Sequence, residues 1–185
     1  MSDPIQELLD KQAIAETVYR YCRGVDRLDA AEILSAYFED GYDDHGELKG
    51  TAAEFVAQLI PLLRERYLST SHNICNQLIE IDGDAALCES YLIAVHLTAS
   101  DGQQYQEVVY GRYVDRLERR GGQWRIVHRV VVLDSRNTKP VEPSRLATDP
   151  ALATWGRRDD SDALYSQRAR RRAVAATGVR AADER

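Results

Sequence analysis

The chain has 185 residues, of which 44% are apolar and 29% charged, with a formal net charge of −6. That length supports one well-filled core and excludes two ordinary domains, so a single domain with a tail is expected. The acidic balance excludes a general nucleic-acid binder, and no apolar run approaches the ~20 residues that span a bilayer, so a cytoplasmic protein without membrane partners is expected.

In chain order, Ile5, Leu8, Leu9, Ile14 and Val18 recur at helical spacing after Pro4, which suits a first helical turn, and predict a helix from residue 4 to about 23. Gly24 is expected to break it, and Asp29 to cap a second helix whose Ile33, Leu34, Tyr37 and Phe38 face inward. Asp26 then falls in the turn between the two. Turn formers from Asp40 to Gly46 leave room for a short strand over 42–45, and a third helix follows from about Thr51 to about Arg66.

After His72 the pattern becomes β-branched and alternating. Strands are expected over Asn73–Ile81, Ala85–Thr98, Gln104–Glu118 and Gln123–Asp134, joined by the turns Asp82-Gly83-Asp84, Ser100-Asp101-Gly102 and Arg119-Arg120-Gly121-Gly122. Helices followed by an antiparallel meander make an α+β domain, with N-terminal helices packed on a strongly curved sheet, and such a cone holds small ligands. The pattern then dissolves through Pro140, Pro143 and Pro150. The cone domain is placed at 1–136 and a C-terminal extension, partly disordered, at 137–185. Its apolar anchors Leu152, Trp155, Leu164 and Tyr165 are expected to drape over the pocket mouth or a neighbouring subunit. The basic run Arg168-Ala169-Arg170-Arg171-Arg172 reads as a solvated tail, and residues from about 170 as disordered or weakly helical.

The chemistry-bearing residues are few. Cys22, Cys75 and Cys88 are an odd number without close pairing, which suggests neither a disulfide framework nor zinc; Cys75, three residues after His72, is a candidate pocket residue. Four histidines scattered over separate elements predict no metal, and no glycine-rich phosphate loop predicts a nucleotide, so no cofactor is expected. Asp26 and His72 stand out as an acid and an imidazole in apolar surroundings. A carboxylate that accepts the Nδ1 proton of a histidine fixes its tautomer and prepares Nε2 as a base. Arg129 interrupts an apolar strand and on simple alternation shares a face with Val127, Val131 and Leu133; it reads either as half of an ion pair, to Glu89 or Asp134, or as a stabiliser of developing negative charge. His96 and His128 read as packing or interface residues.

Tyr21-Cys22-Arg23-Gly24-Val25-Asp26, Ser71-His72-Asn73 and the strand-turn-strand from Tyr113 through Glu118-Arg119-Arg120-Gly121-Gly122-Gln123-Trp124 to Ile126 resemble the SnoaL-like branch of the nuclear transport factor two-like superfamily. The resemblance spans about residues 4 to 136. It implies a cone-shaped α+β barrel in a homotrimer or homodimer. It also implies that Asp26 and His72 match the dyad with which dehydratases and dehydrochlorinases of that superfamily remove a proton while a leaving group departs. By the same resemblance Tyr21 and Arg129 match pocket residues, while a second tyrosine of the dehydratases falls near His45, leaving its task to His45 or Tyr42. The expected catalytic set is therefore His72, Asp26, Arg129, Tyr21 and His45, and the expected substrate contacts are Tyr42, Cys75, Tyr113 and Val131. The expected function is a cofactor-independent lyase, of dehydratase type, on a small hydrophobic cyclic or aromatic molecule. The alternatives are an isomerase or cyclase of polyketide or steroid type, and a non-catalytic small subunit of an aromatic-ring dioxygenase.

Overall fold

A computed structural model describes residues 3–142 and 154–177, which divide into two compact units, Met1–Val141 and Glu142–Arg185. The first unit opens with helix α1, Pro4–Arg27, whose first turn is capped by the Asp3 carboxylate accepting from the Ile5 N–H. Ile5, Leu8 and Leu9, part of the periodicity that predicts this helix, are exposed, and its buried face starts at Asp10 and runs through Ile14, Val18, Tyr21 and Val25. Gly24 does not end α1. A Cβ there would stand 2.7 Å from the Ile33 nitrogen, so glycine serves the close approach of the next helix. The helix stops at Leu28, in the left-handed conformation, whose N–H donates to the carbonyls of Gly24 and Val25. Asp26 consequently lies in the last turn of α1 rather than in a connecting turn.

Asp29 caps the short α2, Ala30–Ser35, as expected from its position. The chain turns to strand at once, and β1, Tyr37–His45, is longer than the expected piece over 42–45. Ile33 and Tyr37 are buried as expected, whereas Leu34 is exposed and Phe38 only half-buried. A short β2, Leu48–Thr51, precedes α3, Ala52–Arg66, which begins with a reciprocal Thr51–Glu54 capping box. Four long strands follow: β3, Ser69–Asp82; β4, Ala85–Ser100; β5, Gln103–Arg120; and β6, Gln123–Pro140. Strand β6 continues past the expected end at Asp134, and Tyr105 still pairs with Pro140. Ladder pairing here holds a stretch, Ser135 to Lys139, whose polar composition hides it from pattern reading.

The sheet order is β2-β1-β6-β5-β4-β3, with β1 parallel to β6 and every other neighbouring pair antiparallel. The sheet is curved but unclosed, since β2 and β3 are its edges; the architecture is an open α+β cone rather than a closed barrel. Ile14 and Val18 of α1, Phe55 and Leu59 of α3, and Leu92, Leu117 and Ile126 of the sheet fill the core. Trp124 Nε1–H donates to Asp10 at 2.8 Å and the Thr17 hydroxyl to the Trp124 carbonyl at 3.0 Å, which pins α1 to the start of β6.

Two bulges in β6 decide which side chains reach that core. Leu117 pairs with Ile126 and Arg116 with His128, so Val127 is an extra residue and the face alternation shifts by one. Ile126 and Arg129 therefore share the inner face, and the expected grouping of Arg129 with Val127 is corrected. Arg129 pairs with neither Glu89 nor Asp134. Its Nε and Nη2 donate to the two oxygens of Asp115, both at 2.7 Å, with both side chains wholly buried. Its guanidinium carbon lies 4.0 Å from the Tyr21 ring centroid and 3.9 Å from that of Tyr113. Burial opposes the Arg129 charge, but Asp115 outweighs it and holds the pKa well above the ordinary arginine value.

In the second unit, α4, Ala163–Thr177, starts where Asp162 accepts from the N–H groups of Leu164 and Arg157. Of the two expectations for residues from about 170, disordered or weakly helical, the described part to Thr177 is helical, and Arg170, Arg171 and Arg172 lie exposed on it. Trp155 is exposed, Leu164 and Tyr165 are half-buried, and Leu152, Pro143 and Pro150 lie outside the described residues. Among the described residues no helix is long and apolar enough to cross a membrane.

Removing one member of a buried ion pair strands its partner's charge. Arg129→Ala is therefore expected to cost about 3–5 kcal/mol in denaturant unfolding, and Arg129→Lys, which keeps the charge but loses the planar fork, distinctly less. Equal stability of Arg129→Ala and wild type would show that the pair does not hold the sheet.

Candidate active site

The inner face of the sheet, closed by α1 and α3, encloses a cavity of about 190 Å³. Leu59, Leu63, Leu92, Val109, Val131 and Leu133 give it apolar walls, and Tyr21, His45, Tyr67, His72, His96 and Tyr113 bring the polar groups. His72 reaches it from β3. Because side chains alternate, Thr70, His72 and Ile74 point inward, toward Ala94 and Leu92 across the ladder.

Asp26, at the last turn of α1, meets this strand with three hydrogen bonds. Its Oδ1 accepts from His72 Nδ1 at 2.7 Å and from the Thr70 hydroxyl at 2.9 Å, and its Oδ2 accepts from the His72 backbone N–H at 2.9 Å. The carboxylate thus binds both the ring and the backbone of the same residue. The bond to Nδ1 sets the tautomer that leaves Nε2 as the nitrogen with a free lone pair. The His72 side chain is 9% exposed and that of Asp26 14%. The slight exposure of Asp26 comes from a cleft of about 340 Å³ between α1 and β3, bounded by Tyr19, Cys22, Arg23, Arg27 and Ile74.

A second carboxylate and imidazole stand on β1. Asp43 and His45, two residues apart, share the inner face; Asp43 accepts hydrogen bonds from His45 Nδ1 and from the Tyr37 hydroxyl. His45 Nε2 is 3.4 Å from the Tyr21 hydroxyl, and its ring stacks on Phe55 at 4.6 Å. Sequence reasoning named His45 but missed Asp43, although the i, i+2 spacing in an expected strand was a usable signal.

The third imidazole of the cavity, His96, was expected in packing or at an interface. It lies edge-on to His72, with ring centroids 5.7 Å apart, and stacks on Tyr67 at 4.6 Å. Its Nδ1 is 3.4 Å from Glu107 Oε1 but makes no hydrogen bond among the described residues. Burial, followed by the proximity of the His72 imidazole, pushes its pKa down to about 4, so His96 is neutral near pH 7. Glu107 itself is held by the Tyr67 hydroxyl at 3.1 Å and by Arg136.

The other expected site residues divide. Tyr21, Tyr113 and Val131 line the cavity, whereas Arg129 lies behind Tyr21 and Tyr113, bound to Asp115, and is not among the lining residues. Tyr42 is turned to the opposite sheet face, where it stacks on His128 at 5.7 Å, because it alternates with Asp43. Cys75 is exposed, next to the bulge in β3 between Ile74 and Gln77. Cys22 is buried, and burial pushes its thiol up to about 12, so no thiolate forms there near neutrality.

A histidine whose pKa falls from 6.5 unfolded to about 4 folded binds its proton more tightly in the unfolded chain. The stability His96 allows is complete above pH 6.5 and is lost as pH falls through that value toward about 4. His96→Gln is expected to flatten this part of the stability profile in denaturant titrations; an unchanged slope would place the titration elsewhere.

Residues 6–130 match the family model of the SnoaL-like domain. A comparison with curated proteins gives no match. A protein described as a scytalone dehydratase from Novosphingobium aromaticivorans superposes with a TM-score of 0.64 at 20% identity, over 74% of this chain and 91% of its own. A hexachlorocyclohexane dehydrochlorinase from Novosphingobium barchaimii gives 0.65 at 17% identity, over 75% and 94%. A protein of unknown function from Mycobacterium tuberculosis gives 0.62 at 24% identity and covers 98% of both chains. At these identities the solved structures establish a common fold, and the match over residues 6–130 establishes the lineage: the chain belongs to the SnoaL-like domain family.

Proposed function

We propose that this protein is a cofactor-independent lyase that eliminates water from a small, hydrophobic, cyclic or aromatic molecule. The observation that carries the reading is the 2.7 Å bond from His72 Nδ1 to Asp26 at the wall of an apolar cavity. Nε2 takes a proton from carbon, Asp26 stabilises the imidazolium that forms, and the apolar walls keep bulk water from competing. The Tyr21 hydroxyl, facing the same space, donates to a substrate carbonyl and stabilises the enolate oxygen. Arg129 takes no direct part; it fixes the rings of Tyr21 and Tyr113 from behind. The similarity in fold to a dehydrochlorinase and to a protein described as a dehydratase supports an elimination. An isomerase or cyclase would use the same base and differ in product.

The probe is a bicyclic β-hydroxy ketone of the tetralone type, whose dehydration product tautomerises to a fluorescent naphthol. His72→Ala should lower turnover by ~10²–10⁴-fold with folding intact, and Asp26→Asn nearly as far, through the wrong tautomer. Near-native turnover by purified His72→Ala would remove the assignment, and a product isomeric with the substrate would move the protein to the isomerases.

The protein is further proposed to be a cytoplasmic homo-oligomer, a trimer in preference to a dimer. Leu87, Tyr91, Tyr110 and Val130 are exposed on the sheet face away from the helices, and a second copy is the natural cover for an apolar surface of this kind. Light scattering should give a trimer that Tyr91→Glu dissociates; a monomeric wild type would sink the claim.

A further inference from the structure

His72 and His45 enter the cavity from strands β3 and β1, separated in the sheet by β6, β5 and β4. Each ring is held through Nδ1 by a carboxylate, Asp26 in one case and Asp43 in the other. The two environments differ in charge. Asp26 is partly exposed at its cleft and can be solvated there, whereas Asp43 is 0% exposed and its partners are confined to protein. Asp43, Asp115 and Arg129 are all wholly buried, and Asp43 is the ladder partner of Arg129. Two carboxylates against one guanidinium leave a buried negative charge, which is costly unless a second cation stands beside it. Of the hydrogen-bond partners of Asp43, the Tyr37 hydroxyl and the His45 ring, only His45 can take up a positive charge.

We propose that Asp43 and His45 form a second dyad, in which His45 is the imidazolium that protonates the departing oxygen, so that the site is built for loss of hydroxyl rather than of halide. This rests on the reading of His72 as the base. In the step, His72 Nε2 takes the proton from the carbon beside the carbonyl, and the C–H electron pair becomes the new C=C bond. The C–O bond breaks with its electrons on oxygen, and that oxygen takes the Nε2 proton of His45 and leaves as water. The site ends with His72 protonated and His45 neutral, and one proton passed between them through solvent restores it. Hydroxide is a poor leaving group and needs this proton, whereas chloride departs as a stable anion and does not. The Tyr21 hydroxyl lies 3.4 Å from His45 Nε2, so a carbonyl held by the phenol and a leaving hydroxyl held by the imidazole would sit side by side, as they do in a β-hydroxy ketone.

Two measurements test the proposal. Nitrogen NMR of histidine-labelled protein, with His45→Gln to assign the signal, should show both ring nitrogens of His45 protonated at neutral pH; a bare Nε2 overturns the proposal whatever the substrate. The second compares the β-hydroxy tetralone with its β-chloro analogue, each corrected for spontaneous elimination. His45→Gln should lower kcat for the hydroxy compound by ~10²–10⁴-fold and that for the chloro compound far less. Equal losses on both would reduce His45 to a wall of the cavity and overturn the proposal. His72→Ala should lose both activities; if it keeps both, the base reading fails separately, and the leaving-group contrast of His45→Gln still decides the second dyad.

Discussion

The pair of Arg129 and Asp115 is the interaction on which the site depends. Neither side chain touches water, and the two bonds at 2.7 Å occupy both carboxylate oxygens. Such a pair is maintained against a desolvation cost of several kcal/mol per ion, roughly, and it persists only where packing leaves the charges no other partner. Here the faces of Tyr21 and Tyr113 cover the guanidinium, so the charge that stabilises the sheet also sets the angle of two phenols in the cavity wall. A bulge of a single residue at Val127 aims Arg129 inward, and without it the strand would present His128 to the core.

A second constraint joins α1 to β3. Glycine at position 24 lets α2 approach, Leu28 ends the helix one turn later than a break at Gly24 would, and that extra turn delivers Asp26 to the strand. Once there, Asp26 accepts from the His72 backbone as well as its ring, so the distance between imidazole and carboxylate is fixed by strand and helix rather than by rotamer preference alone. A carboxylate tied down in this way has little freedom left to lose in holding the ring.

The three cavity histidines then differ through their neighbours. His72 has a carboxylate that reaches a solvent cleft, His45 has one sealed in protein, and His96 has Glu107 nearby without a hydrogen bond to its Nδ1. Burial without a bonded partner keeps His96 neutral, with its pKa down at about 4. One residue type at three positions of the same wall thus meets three different sets of neighbours.

Much of the fold was legible in the sequence. Three helices, four long strands and three hairpin turns follow from apolar period and turn chemistry, which are local, and the pairing of Asp26 with His72 followed from chemistry and family resemblance. Where local signals were silent, the reading went astray. Strand β2 is too short to alternate visibly, the polar end of β6 is a strand only because β5 pairs with it, and Gly24 looks the same whether it ends a helix or admits a neighbour. The partner of Arg129, the outward turn of Tyr42 and the inward place of Asp43 depend on bulges and on the β1–β6 register. A bulge moves every later side chain to the other face, yet it arises from the fit of strands far apart in sequence. Sequence alone determined most of the elements and singled out Asp26 and His72; tertiary structure decided which side chains face one another, because facing is a property of register between strands and not of any single segment.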